Sequence, residues 1–398
     1  MQGSVERLDG DIDALDVAGG YGFVWERGDT VLAGRGVAVA VETPAGNRRD
    51  LARRAGEAFA SLVLHGDPGA PGPVAFGALP FDSAERATLT IPALQLRRGP
   101  DGARWLWRIG PGEHEPLFAP VAERQPERFT ITPEQSHDAS RAAVAAAVAR
   151  IEAGDVDKVV LARAVVVEAD IAFDVAAVLR RLRNAYPSCY LYSVDGFVGA
   201  SPELLVSRQG DVVRAQPMAG TAPRLGDPAA DAQLAARLLA SSKNKLEHQY
   251  TIDTLIDGLL EFCSYLDSEA EPSIVAVANV QHLASYVQGR LSHPLPSVLD
   301  LVDALHPTPA VGGRPRAGAL ALLARLEPTA RGRYGGPVGW VDAAGNGGFA
   351  VGLRGAEING STARCYGGGG IVAGSEPDAE LVETQNKLQA ILGALIRP

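Results

Sequence analysis

Lys158 opens a run of β-branched and apolar residues, Lys158-Val159-Val160-Leu161-Ala162-Arg163. Side chains alternate along an extended strand, so Lys158 shares a face with Val160 and Ala162 and opposes Val159 and Leu161. Both faces are largely apolar. A lysine here either marks the strand end and snorkels to water, or is desolvated so far that its neutral amine serves as a general base near neutral pH. Glu203 poses a similar choice within Gly199-Ala200-Ser201-Pro202-Glu203-Leu204-Leu205. Either it sits at the surface of a strand-edge turn, as most glutamates do, or Phe197, Val198, Leu204, Leu205 and Val206 enclose it. An enclosed carboxyl keeps its proton and can act as a general acid.

A second group of residues could hold charge. Glu380 and Glu383 are three apart and Lys387 lies four further on, which puts all three on one helix face. That pattern suits a solvated face with an ion pair. Glu247, in Lys243-Asn244-Lys245-Leu246-Glu247-His248, lies on an earlier helix. If the two helices meet, three carboxylates converge with no Cys/His set nearby, a donor set that suits magnesium better than zinc. Arg354 ends the apolar strand Phe349-Ala350-Val351-Gly352-Leu353-Arg354. It reads as an edge arginine in a surface ion pair or as a bidentate grip on a carboxylate. The run Tyr366-Gly367-Gly368-Gly369-Gly370-Ile371-Val372-Ala373-Gly374-Ser375 reads as a floppy turn or as an anion nest of backbone N–H groups. It carries neither the Gly-Lys-Ser/Thr of a P-loop nor a dinucleotide fingerprint.

The elements that must position these residues are partly legible. Val144, Ala147, Val148 and Ile151 recur at helical spacing, with Gly154 as the stop. Lys158 to Val167 reads as a strand, Val175 to Ala185 as a helix, and Cys189 to Ser207 as two strands broken by Asp195-Gly196. A long helical stretch is expected from about Pro228 to Tyr265. Trp340-Val341-Asp342 and Gly348-Phe349-Ala350-Val351 form a hairpin around Ala344-Gly345-Asn346-Gly347, and the last helix begins near Pro377. The first third is punctuated by Gly/Pro clusters such as Gly66-Asp67-Pro68-Gly69, which separate short strands.

Bulk properties narrow the class. The 398 residues, 46% of them hydrophobic, suffice for a large core, and the formal net charge of −10 repels nucleic acid and anionic membrane surfaces alike. Cys189, Cys263 and Cys365 are odd in number and lack metal-ligand spacing, so neither a disulfide framework nor a zinc site is expected. No leader-like or membrane-spanning apolar run is present, and a cytoplasmic protein is expected.

In order along the chain, these segments resemble the chorismate-utilising enzymes, the family of isochorismate, salicylate, anthranilate and aminodeoxychorismate synthases. The likeness runs from about residue 130 to the C-terminus. Beyond the segments above it includes Ala219-Gly220-Thr221, Gln281-His282-Leu283, His306-Pro307-Thr308-Pro309-Ala310 and Tyr334. Phe76-Gly77-Ala78-Leu79-Pro80-Phe81-Asp82 carries it weakly into the first third. The resemblance implies an α+β fold, a single large domain of the anthranilate synthase component I type with antiparallel sheets packed in a sandwich and flanked by helices. Residues 1–130 would be the sheet-rich N-terminal part and 131–398 the chorismate-binding catalytic region.

The resemblance also implies roles for single residues. Lys158 would be the base and Glu203 the acid; Glu247 and Glu383, supported by Glu380, would hold Mg2+. Gly220, Thr221, His282, Ala310, Tyr334, Arg354, Gly368, Gly370 and Lys387 would line the pocket for chorismate. Ala219 stands where aminodeoxychorismate-forming members carry a nucleophilic lysine, and Lys158 stands where anthranilate-forming members usually carry glutamine. A water nucleophile needs such a base, and His306–Gly313 resembles the isochorismate type rather than the salicylate type. The implied enzyme is a monomeric isochorismate synthase of siderophore or menaquinone formation, with salicylate synthase and anthranilate synthase large subunit as alternatives. Asn244, where aspartate is common, and Gly367 and Gly369, where alanines are frequent, depart from the pattern.

Overall fold

Val-rich alternation makes the twelve-residue strand Lys158–Ala169 the spine of a thirteen-stranded sheet, in which it pairs antiparallel with Thr362–Ile371. The computed structural model describes residues 1–99, 101–120, 124–277 and 280–397. Among them a nine-stranded and a three-stranded sheet complete the β-structure, and pairing is antiparallel except between Gln2–Leu8 and Val63–His65. Strands from the first third join both large sheets. Phe23–Arg27 pairs with Tyr190–Val194, and Val74–Ala78 pairs with Pro337–Asp342.

The two large sheets face one another. Trp25, Tyr192 and Phe197 of the larger pack against Phe76, Leu204, Val338 and Ala350 of the smaller. Burying an aromatic or aliphatic side chain of this size contributes about 1.5–3 kcal/mol, so this seam is a main source of stability. Helices Ala14–Ala18, Val175–Ala185 and Pro377–Ile396 cover the outer face of the larger sheet. Leu51–Ala60, Ser242–Leu260 and Val298–Leu305 cover that of the smaller. The result is the helix-flanked sandwich expected from the sequence.

Helix His137–Glu152 buries Val144, Ala147 and Ile151, and Gly154, at φ +80°, ends it as expected. Three local expectations are corrected. The long helix near Pro228 is two, Pro228–Ala240 and Ser242–Leu260, followed by the strand Cys263–Ser268. Ser241 divides them: its backbone is extended, and its hydroxyl accepts from Asn244 N at 3.3 Å to cap the second helix. Cys189 to Ser207 contains three strands, because Pro202 offers no N–H and the chain leaves one sheet for the other there. The glycine run divides: residues 366–371 are neither turn nor nest but the end of Thr362–Ile371, and only residues 372–375 form a turn. The hairpin Pro337–Asp342 with Gly347–Val351 and the final helix from Pro377 match the reading. The three cysteines are unpaired, and no described helix is long and apolar enough to cross a membrane.

Candidate functional site

Twice the chain passes between the large sheets at the same place. Pro202-Glu203 links Phe197–Ser201 to Leu204–Gln209, and Gly352-Leu353-Arg354 links Gly347–Val351 to Gly355–Asn359. Val351 N donates to Glu203 O at 3.1 Å and ties the crossings together. They put Glu203 and Arg354 on the wall of one cavity, about 850 Å³ when the open solvent at its mouth is counted.

Glu203 is 3% exposed. Burial raises its pKa to about 7, against the Met218 backbone N–H and the charges of Lys158, Arg354 and Lys387, which favour the carboxylate. Of the two placements of Glu203, the enclosed one is realised and not the surface turn. Arg354 lies past the end of the apolar strand, not within it, at φ +53°, a conformation that strains a non-glycine residue by about 1–3 kcal/mol. It is buried rather than in a surface ion pair, and burial lowers its pKa. Its Nη2 lies 3.3 Å from His282 Nε2.

His282 has a defined tautomer. Its Nδ1 is 3.2 Å from Gly220 O and 3.2 Å from Thr221 Oγ1. The carbonyl can only accept, so Nδ1 carries the proton and Nε2 is left to accept from Arg354. Burial and the Arg354 charge push its pKa down to about 3, so the ring is neutral. Gly220, at φ +72°, lies at a register shift between Met218–Pro223 and Val280–Ala284 that opposes Thr221 to His282.

The lysines are paired. Lys158 does not snorkel: it is 1% exposed and its Nζ meets Glu247 Oε1 at 2.6 Å. Lys387 Nζ donates to Glu383 Oε1 at 2.6 Å and to Gly368 O at 2.8 Å. The glycine strand explains itself from both sides. A Cβ at Gly370 would stand 2.8 Å from Glu247 Oε1, and one at Gly368 2.8 Å from the Tyr334 hydroxyl. On the other face a Cβ at Gly367 would stand 2.8 Å from Thr384 O, and one at Gly369 3.2 Å from Glu380 Oε2. Tyr334 is buried and stacks on Tyr366 with ring centroids 4.9 Å apart.

All the residues singled out as candidates line this one cavity: Lys158, Glu203, Gly220, Thr221, Glu247, His282, Ala310, Tyr334, Arg354, Gly368, Gly370, Glu380, Glu383 and Lys387. His248, next to Glu247, points elsewhere and bonds Ser285 Oγ at 2.9 Å. The sequence reading missed the Met218 N–H that contacts the acid, and the walls made by Val160, Pro202 and Leu353. Backbone donors and apolar walls leave no motif. Asn244 borders the cavity beside Gly220.

For a cation, the kind of donor fits better than the arrangement. Three carboxylates from two helices border the cavity, and Gly370 leaves room beside Glu247, while Glu380 Oε2 lies near Gly369 on the other face of the strand. An oxygen-only set of this kind suits a hard divalent ion. Yet among the described residues no three acidic, His or Cys side chains converge as they stand. Glu247 and Glu383 are turned to lysines, and they would have to turn toward an ion to hold it.

The family model "Chorismate binding enzyme" matches residues 114–396. The putative isochorismate synthase MenF of Mycobacterium tuberculosis is 41% identical over 338 residues, which cover 81% of this chain and 86% of the relative. The crystal structure of a putative 2,3-dihydroxybenzoate-specific isochorismate synthase, DhbC from Bacillus anthracis, superimposes with a TM-score of 0.82 at 30% identity over 96% of this chain and 98% of that one. Anthranilate synthase component I from Streptococcus pneumoniae shares the fold, with a TM-score of 0.75 at 21% identity over 92% of each chain. The sandwich and its seam are therefore those of the anthranilate synthase component I type, and the chain belongs to the family of chorismate-binding enzymes.

Proposed function

We propose that the chain is an isochorismate synthase, an isomerase that adds water at C2 of chorismate and releases the hydroxyl at C4. The observation that carries this reading is a carboxyl with a pKa raised to about 7, enclosed in the same cavity as a buried lysine. One group takes a proton and the other gives one; water enters, water leaves and the double bonds shift. Lys158 takes the proton of the attacking water, and Glu203 protonates the departing hydroxyl. For Lys158 to accept, its contact with Glu247 must open, and Glu247 would release it if that carboxylate turned to hold a cation. Arg354, oriented by His282, grips one carboxylate of the substrate. Magnesium, with Glu247 and Glu383 as ligands and Glu380 beside them, would supply the positive charge that docks the other. Gly220, Thr221, Ala310, Tyr334, Gly368, Gly370 and Lys387 shape the space around the ring.

Two features support water over ammonia or an enzyme nucleophile: a lysine at 158 and an alanine at 219, where no amine is offered. The names of the M. tuberculosis and B. anthracis proteins point the same way. The test is product analysis by chromatography after incubation with chorismate and magnesium, without ammonia. Isochorismate alone is expected. Salicylate with pyruvate would make the chain a salicylate synthase, and an unchanged substrate would overturn the reading. Glu247→Ala should abolish the response to magnesium in a metal titration; an unaltered titration curve would remove Glu247 from the ligand set.

A further inference from the structure

Behind the strand pair that floors the cavity lies a second cleft, on the opposite face of the sheet. Leu161, Gly369 and Ile371 form its floor, and Val144, Leu326 and Leu381 on three helices form its walls. It is a narrow cleft, about 420 Å³ only when the open solvent at its mouth is counted. In this apolar setting stands Arg163, 8% exposed. Its Nε and Nη1 are enclosed without a hydrogen-bond partner. Two carboxylates border the cleft, Glu327 and Glu380. Glu327 is bonded to Arg331 and to Ala162 N, and burial is the one influence resolved on Arg163, lowering its pKa. The neighbouring Arg364 has Glu134. Among the described residues Arg163 thus makes no ion pair, an arrangement that is unfavourable unless something else meets the charge.

We propose that this cleft is a binding site for a short-chain monocarboxylate, its carboxylate on Arg163 and its apolar end against Val144, Leu161, Leu326, Ile371 and Leu381. The planar guanidinium fork matches a carboxylate in two bonds. The apolar walls favour a ligand with one charged end over phosphate, whose further charged oxygens would lose water without gaining a partner. Arg163 and Lys158 project to opposite faces of one strand, so the site is separate from the catalytic cavity.

The test uses sodium propionate on the full chain, read by saturation-transfer NMR without chorismate, so that the outcome does not depend on the proposed reaction. Propionate should bind the wild type and the cavity variant Arg354→Met alike, and at least about tenfold more weakly to Arg163→Met. Ala143→Leu, which keeps the arginine and fills the cleft, should have the same effect and serves if Arg163→Met does not fold. Chloride and phosphate at equal ionic strength should not displace propionate. Undiminished binding to the folded cleft variants, loss in Arg354→Met, equal displacement by the inorganic anions, or no binding to the wild type would each overturn the proposal.

Discussion

On one face of the strand Lys158–Ala169 side chains meet a polar cavity, and on the other they meet helices. Toward the cavity the lysines are matched with carboxylates, Lys158 with Glu247 and, from the final helix, Lys387 with Glu383. Behind the strand, Leu161 packs among apolar residues and Arg163 makes no ion pair among the described residues. The glycines opposite divide the same way: Gly368 and Gly370 leave room for polar groups, Gly367 and Gly369 for a helix backbone and a carboxylate. Paired charges can change partners when a ligand arrives, whereas close packing cannot yield without loss of stability. The front of the sheet should therefore answer to substitution in turnover, and the back in melting temperature.

The largest contrast should come from the two residues proposed to transfer protons. Lys158→Ala and Glu203→Gln should each lower kcat by about 10²–10⁴-fold, with the near-ultraviolet circular dichroism of the wild type retained. Either variant turning over at the wild-type rate would remove its residue from the mechanism.

Glu203 also makes a stability prediction with a defined sign. Its pKa is raised in the folded state from 4.5 to about 7, so the folded chain binds the proton more tightly than the unfolded chain. Stability attributable to this group is full below pH 4.5, falls as pH rises, and is lost above pH 7. The difference amounts to about 3 kcal/mol. Glu203→Gln should therefore be more stable than the wild type at pH 8 by about that amount and nearly equal to it at pH 4. Parallel denaturation curves across this range would refute the assignment.

Smaller effects separate the two faces at single glycines. Gly367→Ala would drive a methyl against Thr384 O and Leu388 Cγ, at 2.8 and 3.0 Å, and should cost roughly 1–3 kcal/mol while kcat stays near wild type once the protein is folded. Gly370→Ala would meet Glu247 Oε1 at 2.8 Å. A carboxylate at the end of a side chain can give way, so stability should hold while activity falls about tenfold. Calorimetry with initial rates on both variants checks the pair, and the reverse pattern would break the comparison.

What the sequence disclosed follows the range of each interaction. The helix Val175–Ala185, the start of the last helix at Pro377 and the hairpin closing at Gly347 rest on neighbours a turn or a loop away, and local pattern reveals them. The candidate residues were legible because their motifs stand in order along the chain. The choice at Lys158 between strand end and buried base was not, because its partner Glu247 lies on a distant helix. Arg354 looked like part of a strand because no local signal marks a non-glycine residue at positive φ. Four consecutive glycines argue against a strand by propensity. They make one here because both faces are crowded, a fact that exists only in three dimensions.

The final helix, Pro377–Ile396, brings Glu380, Glu383 and Lys387 to the cavity wall, and Lys387 fastens it to Gly368. A chain cut before this helix would lack one whole side of the pocket while keeping every strand of the two large sheets.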